Sequence, residues 1–245
     1  MKSLGNHGPV RPVGQTHTSG GSGNTRSTVV GNERLTALAG AVLLVLLLVD
    51  IVSSASLHAL LPIHIFVGVL LAGPLVVKIG STSYRFLRYY TGSPAYVRRG
   101  PPRLPLRVLA PLLLVTTLVV VGSGIGLVVT GPAQAGPLLP IHGVSVLVWL
   151  SMIGIHVFAY LWRTPRLVAD DWRKPSVEQA PGRGLRLGVN LSALLVGTVA
   201  AILLFPGATA WVVWSQTNGL VSAPLIVGLV LATLVLLVTR PLRWR

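Results

Sequence analysis

Cysteine is absent from this chain of 245 residues. Without thiols the protein has no disulfide, iron–sulfur cluster or thiolate-ligated haem, and no CxxCH motif for covalent haem attachment. Any metal or cofactor must therefore be bound through nitrogen or oxygen atoms. The chain also lacks a P-loop and a dinucleotide-binding fingerprint, so a nicotinamide or flavin module would have to come from a partner protein.

Charged residues are scarce as well, at 10% of the chain, whereas hydrophobic residues make up 52%. This balance is typical of a polytopic membrane protein. The formal charge is +15, from 20 Lys and Arg against 5 Asp and Glu. Because the basic residues lie between long apolar runs, membrane topology explains them better than a nucleic-acid partner does. The sequence therefore predicts contact with membrane lipids and none with nucleic acid.

Six apolar runs predict six membrane-spanning helices, so the expected fold class is an all-α integral membrane protein. The runs cover about residues 35–57, 61–81, 106–130, 138–162, 187–205 and 220–239. The short connections after the first and third runs predict two antiparallel helical hairpins. Residues 1–33 are rich in Gly, Ser, Thr and Asn and show no apolar periodicity, which predicts a disordered cytoplasmic tail.

The basic residues also predict the orientation in the membrane. Lys and Arg occur before the first run, in both long loops and at the C-terminus, whereas the other three connections contain none. By the positive-inside rule, both termini are expected in the cytoplasm. Trp211 and Trp214, in the last outer connection, are predicted to anchor the chain at the membrane interface.

The sequence Leu-Leu-Pro-Ile-His occurs twice, at residues 60–64 and 138–142. Fourteen residues beyond the two histidines lie Lys78 and His156. Fourteen residues of α-helix rise roughly 21 Å and return to within about 40° of the starting face. Each helix is therefore predicted to present two polar groups, one near each side of a hydrocarbon core about 30 Å thick.

His64 and His142 are the principal candidate metal ligands. Their two helices run parallel in the predicted topology, so both histidines are expected at one depth near the outer face. Neutral imidazoles from two helices can occupy both axial positions of a haem iron, although a lone histidine can also bond a headgroup or a neighbouring helix. Small residues would leave room for the porphyrin or, alternatively, allow close helix packing. These are Gly68, Gly122, Gly124 and Gly126.

The inner position leaves three alternatives open for Lys78 and His156. In the first, Lys78 extends toward the cytoplasm and His156 is structural or contacts a quinone. In the second, both residues ligate an inner haem. In the third, Lys78 contacts the propionates of an inner haem that has another axial ligand. The candidate ligands are thus His64, His142 and His156, with Gly68 and Lys78 as further cofactor contacts, and the cofactor is haem b, in one or two copies.

Asp50, in the outer half of the first run, also has several candidate roles. It could hydrogen-bond a ligand histidine, as carboxylates often do around metal sites. It could instead relay a proton, or remain protonated and bond a neighbouring helix. His58 lies in the outer turn, where a solvated side chain is the simplest expectation.

The pair His142 and His156 resembles the bacterial cytochrome b561 and formate-dehydrogenase gamma-subunit group of membrane cytochromes, in which such a pair serves two haems. The first helix here departs from that pattern, since it has no histidine toward its cytoplasmic end. A longer pattern resembles an actinobacterial group associated with periplasmic molybdopterin oxidoreductases of the sulfite-oxidase type. Its residues are His64, Gly68, Pro74, Lys78, His142 and His156.

The resemblance covers about residues 57–162. It implies a bacterial plasma membrane, haem b, quinone exchange and a periplasmic or membrane redox partner such as a molybdopterin oxidoreductase. The expected organisation is a four-helix haem-binding bundle followed by two additional C-terminal transmembrane helices. The expected segments are a tail at 1–33, the bundle at 34–162, a basic cytoplasmic loop at 163–186, and the last two helices with a short basic C-terminus at 187–245.

Three functions fit these residues. The first is a non-catalytic electron-transfer subunit that passes electrons between a partner oxidoreductase and the quinone pool through a bis-histidine haem. The second is a small transporter or proton relay, in which ionisable residues inside the spans carry the substrate or protons. The third is a haem-free membrane anchor for a partner.

Overall fold

The computed structural model describes residues 20–101, 104–172, 182–218 and 223–239. The regular structure in these ranges is helical, as the apolar runs predict. The described part of the chain forms ten α-helices: α1 Gly20–Ser54, α2 Leu57–Leu70, α3 Ala72–Tyr90, α4 Pro94–Arg99, α5 Leu104–Thr130, α6 Leu138–Tyr160, α7 Arg163–Trp172, α8 Arg183–Leu204, α9 Pro206–Asn218 and α10 Ala223–Thr239.

Within the described residues, five helical segments are long and apolar enough to cross a membrane, and α2 with α3 forms one of them. The segments are Thr28–Ser54, Leu57–Tyr90, Leu104–Thr130, Leu138–Tyr160 and Arg183–Leu204. The prediction of an all-α, multi-pass membrane protein is therefore confirmed. The sixth predicted span falls on α10, where the apolar stretch Leu225–Leu234 is shorter. Six spans and the cytoplasmic termini stay predictions.

The first helix begins earlier than the sequence indicates. Residues 20–33 of the predicted tail belong to α1, while residues 1–19 lie outside the described ranges. The low hydrophobicity of this stretch suggested disorder, but tertiary contacts hold its second half in place. Val29 and Glu33 are each only 7% exposed.

The carboxylate of Glu33 is an ion-pairing centre between α1 and the loop helices. Arg99 of α4 donates to both of its oxygens, at 3.1 and 2.9 Å. Arg85 of α3 and Arg163 of α7 lie 3.5 and 3.3 Å from the same group. Three cations from three helices therefore surround one buried anion, and this explains why the polar start of α1 is ordered.

A second carboxylate, Asp171 of α7, connects α1 with α8. Arg34 donates to it at 3.1 Å, and Nε of Arg186 donates to it at 3.0 Å. Burial alone would raise the pKa of Asp171, but the hydrogen bonds and charges of Arg186 and Arg34 outweigh that effect and hold the pKa below its usual range. The predicted basic loop 163–186 thus contains a helix that is fixed to the bundle, although residues 173–181 lie outside the described ranges.

Both predicted hairpins are present. In the first, α1 runs antiparallel to α2 and α3. In the second, α5 and α6 are joined by a short turn that includes a 3₁₀ helix at Pro132–Gln134. Between α5 and α6, the indole nitrogen of Trp149 donates to the hydroxyl of Thr117 at 2.8 Å. The two hairpins pack together through α2 and α5, while α8 packs on the α2–α3 side and α10 on α6.

Trp211 does not serve as the predicted interface anchor. It lies on α9, is 4% exposed and donates its indole N–H to the carbonyl oxygen of Leu127 at 2.8 Å. Trp214 packs partly buried against the same apolar cluster, which includes Leu61 and Ile65 of α2. The predicted outer connection is instead a helix that folds onto α2 and α5. Its tryptophans are therefore part of the core between the two hairpins.

Candidate functional site

The two copies of Leu-Leu-Pro-Ile-His meet inside the bundle. His64 of α2 and His142 of α6 have ring centroids 6.4 Å apart and ring planes inclined at 63°. A proline lies two residues before each histidine. Pro140 is the third residue of α6, where no intrahelical N–H bond is lost, whereas Pro62 is the sixth residue of α2 and removes one such bond. The repeat therefore places one imidazole on each of two different helices.

A largely apolar cavity of about 180 Å³ lies beside the two rings. Its walls come from α1, α2, α5, α6, α9 and α10, and its ionisable residues are Asp50, His64 and His142. The volume exceeds that of an engineered cavity of about 150 Å³ that holds benzene. It is smaller than the pockets of about 300–1,000 Å³ that bind drug-sized ligands. A tetrapyrrole would therefore fill this site only if the surrounding apolar side chains moved apart.

The hydrogen bonds of His64 indicate which ring nitrogen carries its proton. Nδ1 lies 2.9 Å from Oγ of Ser54 and 3.1 Å from Oδ1 of Asp50. The Ser54 hydroxyl donates its own proton to the backbone oxygen of Asp50 at 2.7 Å, so Oγ is left to accept. From this network we assign the proton of the neutral imidazole to Nδ1, which leaves the lone pair on Nε2.

His142 has the same tautomer for a different reason. Its Nδ1 lies 3.1 Å from the carbonyl oxygen of Val120 on α5. A carbonyl oxygen can only accept, so Nδ1 must donate and Nε2 holds the lone pair. Oγ of Ser123 lies 3.1 Å from the same Nδ1. Among the described residues, neither His64 nor His142 makes a hydrogen bond through Nε2.

The separation of the rings suits two ligands on one metal. The two ring centroids are 6.4 Å apart and a metal–imidazole bond is about 2 Å long, so one metal held between the rings would be within reach of both. The inclination of the ring planes is no obstacle, since each ligand can rotate about its own metal–nitrogen bond.

The number of protein ligands at this site suits a haem better than a bare metal ion. A protein site for zinc normally supplies three or four ligands. No group of three or more His, Cys, Asp or Glu side chains suitable for a metal occurs within the described residues. A haem supplies four nitrogen ligands to its own iron, so the protein has to provide only one or two more. Two histidines on facing helices meet that requirement.

Glycine at position 124 allows the close approach of His142. A Cβ added there would lie 3.1 Å from Cε1 of the imidazole. Gly68 lines the cavity and faces Oδ1 of Asp50, at 3.8 Å from an added Cβ. Gly122 has open space around it, and Gly126 faces Leu138. Of the four predicted small positions, Gly68 and Gly124 border the site.

The inner candidates lie elsewhere. The amine of Lys78 donates to the backbone oxygen of Thr36 on α1 at 2.9 Å, beside Gly40. The ring of His156 lies 5.0 Å from that of Tyr160 on the same helix. Neither residue lines the cavity. Lys78 is therefore engaged with α1, and an inner haem held by His156 and Lys78 stays a prediction.

The sequence suggested several roles for Asp50, one of them a contact with a ligand histidine. It did not predict the other hydrogen-bond partners of the two imidazoles. Ser54 follows Asp50 by four residues and lies on the same helical face, so its position beside Asp50 could have been predicted. Ser123 lies among the glycines of the third predicted span, where it has no such signal. The carbonyl of Val120 has no sequence signature at all, because every residue has one. His58, which the sequence placed in the outer turn, is the second residue of α2 and is exposed.

Comparison of the sequence with protein-family models and with curated proteins, and comparison of the fold with solved structures, found no match. The resemblance to the cytochrome b561 group therefore stays a prediction that depends on the histidine pattern. What the structure establishes is a helical membrane protein with several spans.

Proposed function

We propose that this protein is a membrane b-type cytochrome subunit, with one haem b between His64 and His142. The observation that carries the proposal is the pairing of two imidazoles 6.4 Å apart, each with Nδ1 turned to an acceptor and Nε2 unengaged among the described residues. Metal-ligating histidines almost always donate their second N–H to a carboxylate, a carbonyl or water, which fixes the tautomer.

The bound haem supplies a reversible one-electron centre. The chain's own residues hold and isolate that centre. His64 and His142 would bind the haem iron, and Ser54 with Asp50 on one side and Val120 with Ser123 on the other orient the two rings. The apolar lining restricts water around the site, and such a shell is one of the factors that set a redox potential.

The proposed role is electron transfer between a partner oxidoreductase and the quinone pool. In the six-span topology with cytoplasmic termini, His64 and His142 lie toward the periplasmic side of a bacterial plasma membrane. A periplasmic partner, such as a molybdopterin oxidoreductase, would meet the protein on that side. A single haem is favoured because Lys78, the nitrogen that would pair with His156, is occupied by the carbonyl of Thr36.

A proton relay is the second candidate function, and one contact favours it. Oδ1 of Asp50 lies 3.1 Å from Nδ1 of His64, which is close enough for a proton to pass between the two groups. In this alternative the cavity holds no haem, and Asp50→Asn abolishes transport without any change in a visible spectrum.

The decisive experiment is a dithionite-reduced minus oxidised spectrum of the purified protein in detergent, with haem quantified per chain. We expect a sharp low-spin b-type α band at a stoichiometry of about one haem per chain, as one bis-histidine site requires. His64→Ala and His142→Ala should each abolish that low-spin signal. His58→Ala and His156→Ala are the matched controls and should retain it.

Two results would contradict the proposal. Wild-type protein that contains no haem, after expression with ample haem supply, would leave the relay and the haem-free anchor as the remaining functions. A low-spin band that survives both His64→Ala and His142→Ala would place the haem elsewhere. Two haems per chain, with one lost in His156→Ala, would agree with the electron-transfer function but would show that His156 binds a second, inner haem.

A further inference from the structure

We infer that Asp50 is a positioning residue that lowers the redox potential of the haem site by placing negative charge on the Nδ1 side of His64. The inference rests on the proposed function and adds an unequal role for the two axial histidines. His64 becomes the more electron-donating ligand of the pair, whereas His142 remains an ordinary neutral imidazole.

The first observation is the position of the carboxylate. Oδ1 of Asp50 lies 3.1 Å from Nδ1 of His64, and the side chain of Asp50 is only 18% exposed. Ser54 accepts the better-aligned hydrogen bond from Nδ1, at 2.9 Å. Oδ1 itself is buried and has no hydrogen bond of ordinary geometry to a described residue. A buried oxygen of this kind is costly unless a donor is close, and the N–H of His64 is that donor.

The second observation is the asymmetry between the two rings. Among the described residues, the hydrogen-bond partners of His142 are neutral: the carbonyl of Val120 and the hydroxyl of Ser123. The charge of Asp50 therefore lies on one side of the cavity. A carboxylate on the second nitrogen raises the basicity of a ligating imidazole, whereas a carbonyl or hydroxyl does so less because it is uncharged.

The third observation is the absence of a compensating cation. Among the described residues that line the cavity there is no Lys or Arg. In an apolar environment an unscreened charge acts more strongly than it does in water. A nearby anion stabilises the oxidised centre, which carries one more positive charge, over the reduced one. The expected consequence is a lower midpoint potential than the two imidazoles alone would give.

The test is a spectroelectrochemical titration of the haem-loaded protein in detergent, with the midpoint potential as the readout. Asp50→Asn keeps the size of the side chain and removes its charge. We expect it to retain the low-spin band and to shift the relative stability of the oxidised haem by about tenfold, which is a rise of about 59 mV for one electron. Asp50→Glu should restore a potential close to that of the wild type.

Ser123→Ala is the comparison on the other ring, since it removes a neutral acceptor from His142. The change in midpoint potential in Ser123→Ala should be less than half the change in Asp50→Asn. An unchanged potential in Asp50→Asn, with haem retained, would overturn the inference and leave the proposed function standing. Wild-type protein without haem would overturn the proposed function itself, so the two failures are distinguishable.

Ser54→Ala is a second test that does not depend on Asp50→Asn retaining haem. Without the hydroxyl, Oδ1 of Asp50 becomes the nearest remaining acceptor for the Nδ1 proton. The inference then expects a lower potential than that of the wild type, in the direction opposite to Asp50→Asn. An unchanged or higher potential in Ser54→Ala would overturn it.

Discussion

The imidazole of His142 lies directly against Gly124, with Cε1 only 3.1 Å from the position that a Cβ would occupy. This distance is shorter than ordinary van der Waals contact between carbon atoms, about 3.5–4.0 Å. The contact explains why α5 carries a glycine where it passes the fourth predicted span. The position of the candidate ligand His142 therefore depends on a residue that has no side chain.

Gly124→Val should therefore lower haem occupancy. The valine methyl groups would push the ring of His142 away from Val120, and the hydrogen bond that sets its tautomer would lengthen. The measurement is the haem content per chain together with the reduced-minus-oxidised spectrum. Gly122→Val is the control, because a Cβ at Gly122 meets nothing within 4 Å. Equal haem contents in the two variants would contradict this account of Gly124.

The close approach of α8 to the α2–α3 segment predicts a second sensitive glycine. A Cβ added at Gly197 would lie 2.5 Å from the backbone oxygen of Leu70, and one added at Gly73 would overlap that of Ala193. A backbone atom cannot rotate away as a side chain can. Gly197→Ala should therefore destabilise the protein by about 1–3 kcal/mol, the usual cost of overpacking, measured as a lower thermal midpoint in detergent.

Gly188→Ala is the matched control on the same helix. A Cβ there has open space around it, and alanine is favoured over glycine inside a helix by about 1 kcal/mol. This variant should be unchanged or slightly more stable than the wild type. A thermal midpoint that falls as much in Gly188→Ala as in Gly197→Ala would show that helix contact is not the cause.

Arg99→Gln should destabilise the protein, because Arg99 donates two hydrogen bonds to the buried carboxylate of Glu33. Arg99 is itself half exposed, so water screens the pair, and we expect a loss of about 1 kcal/mol. Thermal unfolding in detergent measures it. Arg98→Gln, the adjacent exposed arginine, is the control and should be near neutral. If both variants lost the same stability, net charge and not this ion pair would be responsible.

Asp171→Asn should give a stability difference that depends on pH. The pKa of Asp171 is held below its usual range by Arg186 and Arg34. A depressed pKa means that the ionised group stabilises the fold at pH values above its unfolded pKa of about 3.9, and that this contribution is lost as the pH falls through the folded value.

We therefore expect Asp171→Asn to be less stable than the wild type by about 1–3 kcal/mol at pH 7, because hydrogen bonds to a charged group are lost. The difference should shrink steadily below about pH 4. Thermal midpoints of both proteins, measured from pH 7 to pH 3 in a detergent that tolerates acid, give the comparison. A difference that stayed constant over this range would mean that the charge of Asp171 contributes nothing.

Much of the architecture was predictable from hydropathy alone. A backbone in hydrocarbon must satisfy its own polar groups, so long apolar runs become helices whatever their neighbours are. This local rule located five segments that can cross a membrane, and the short connections identified both hairpins. The repeated Leu-Leu-Pro-Ile-His placed His64 and His142 at equivalent points, because helical rise converts position in the sequence into depth.

The rest depended on contacts between distant parts of the chain. Glu33, in the polar first part of α1, is buried because arginines of three other helices pair with it, and Trp211 is a core residue because α9 folds back onto Leu127. The proton on His142 was decided by the carbonyl of Val120, a group that no sequence pattern can distinguish. Hydropathy is a property of each segment, whereas the partner of a polar group is a property of the packed bundle.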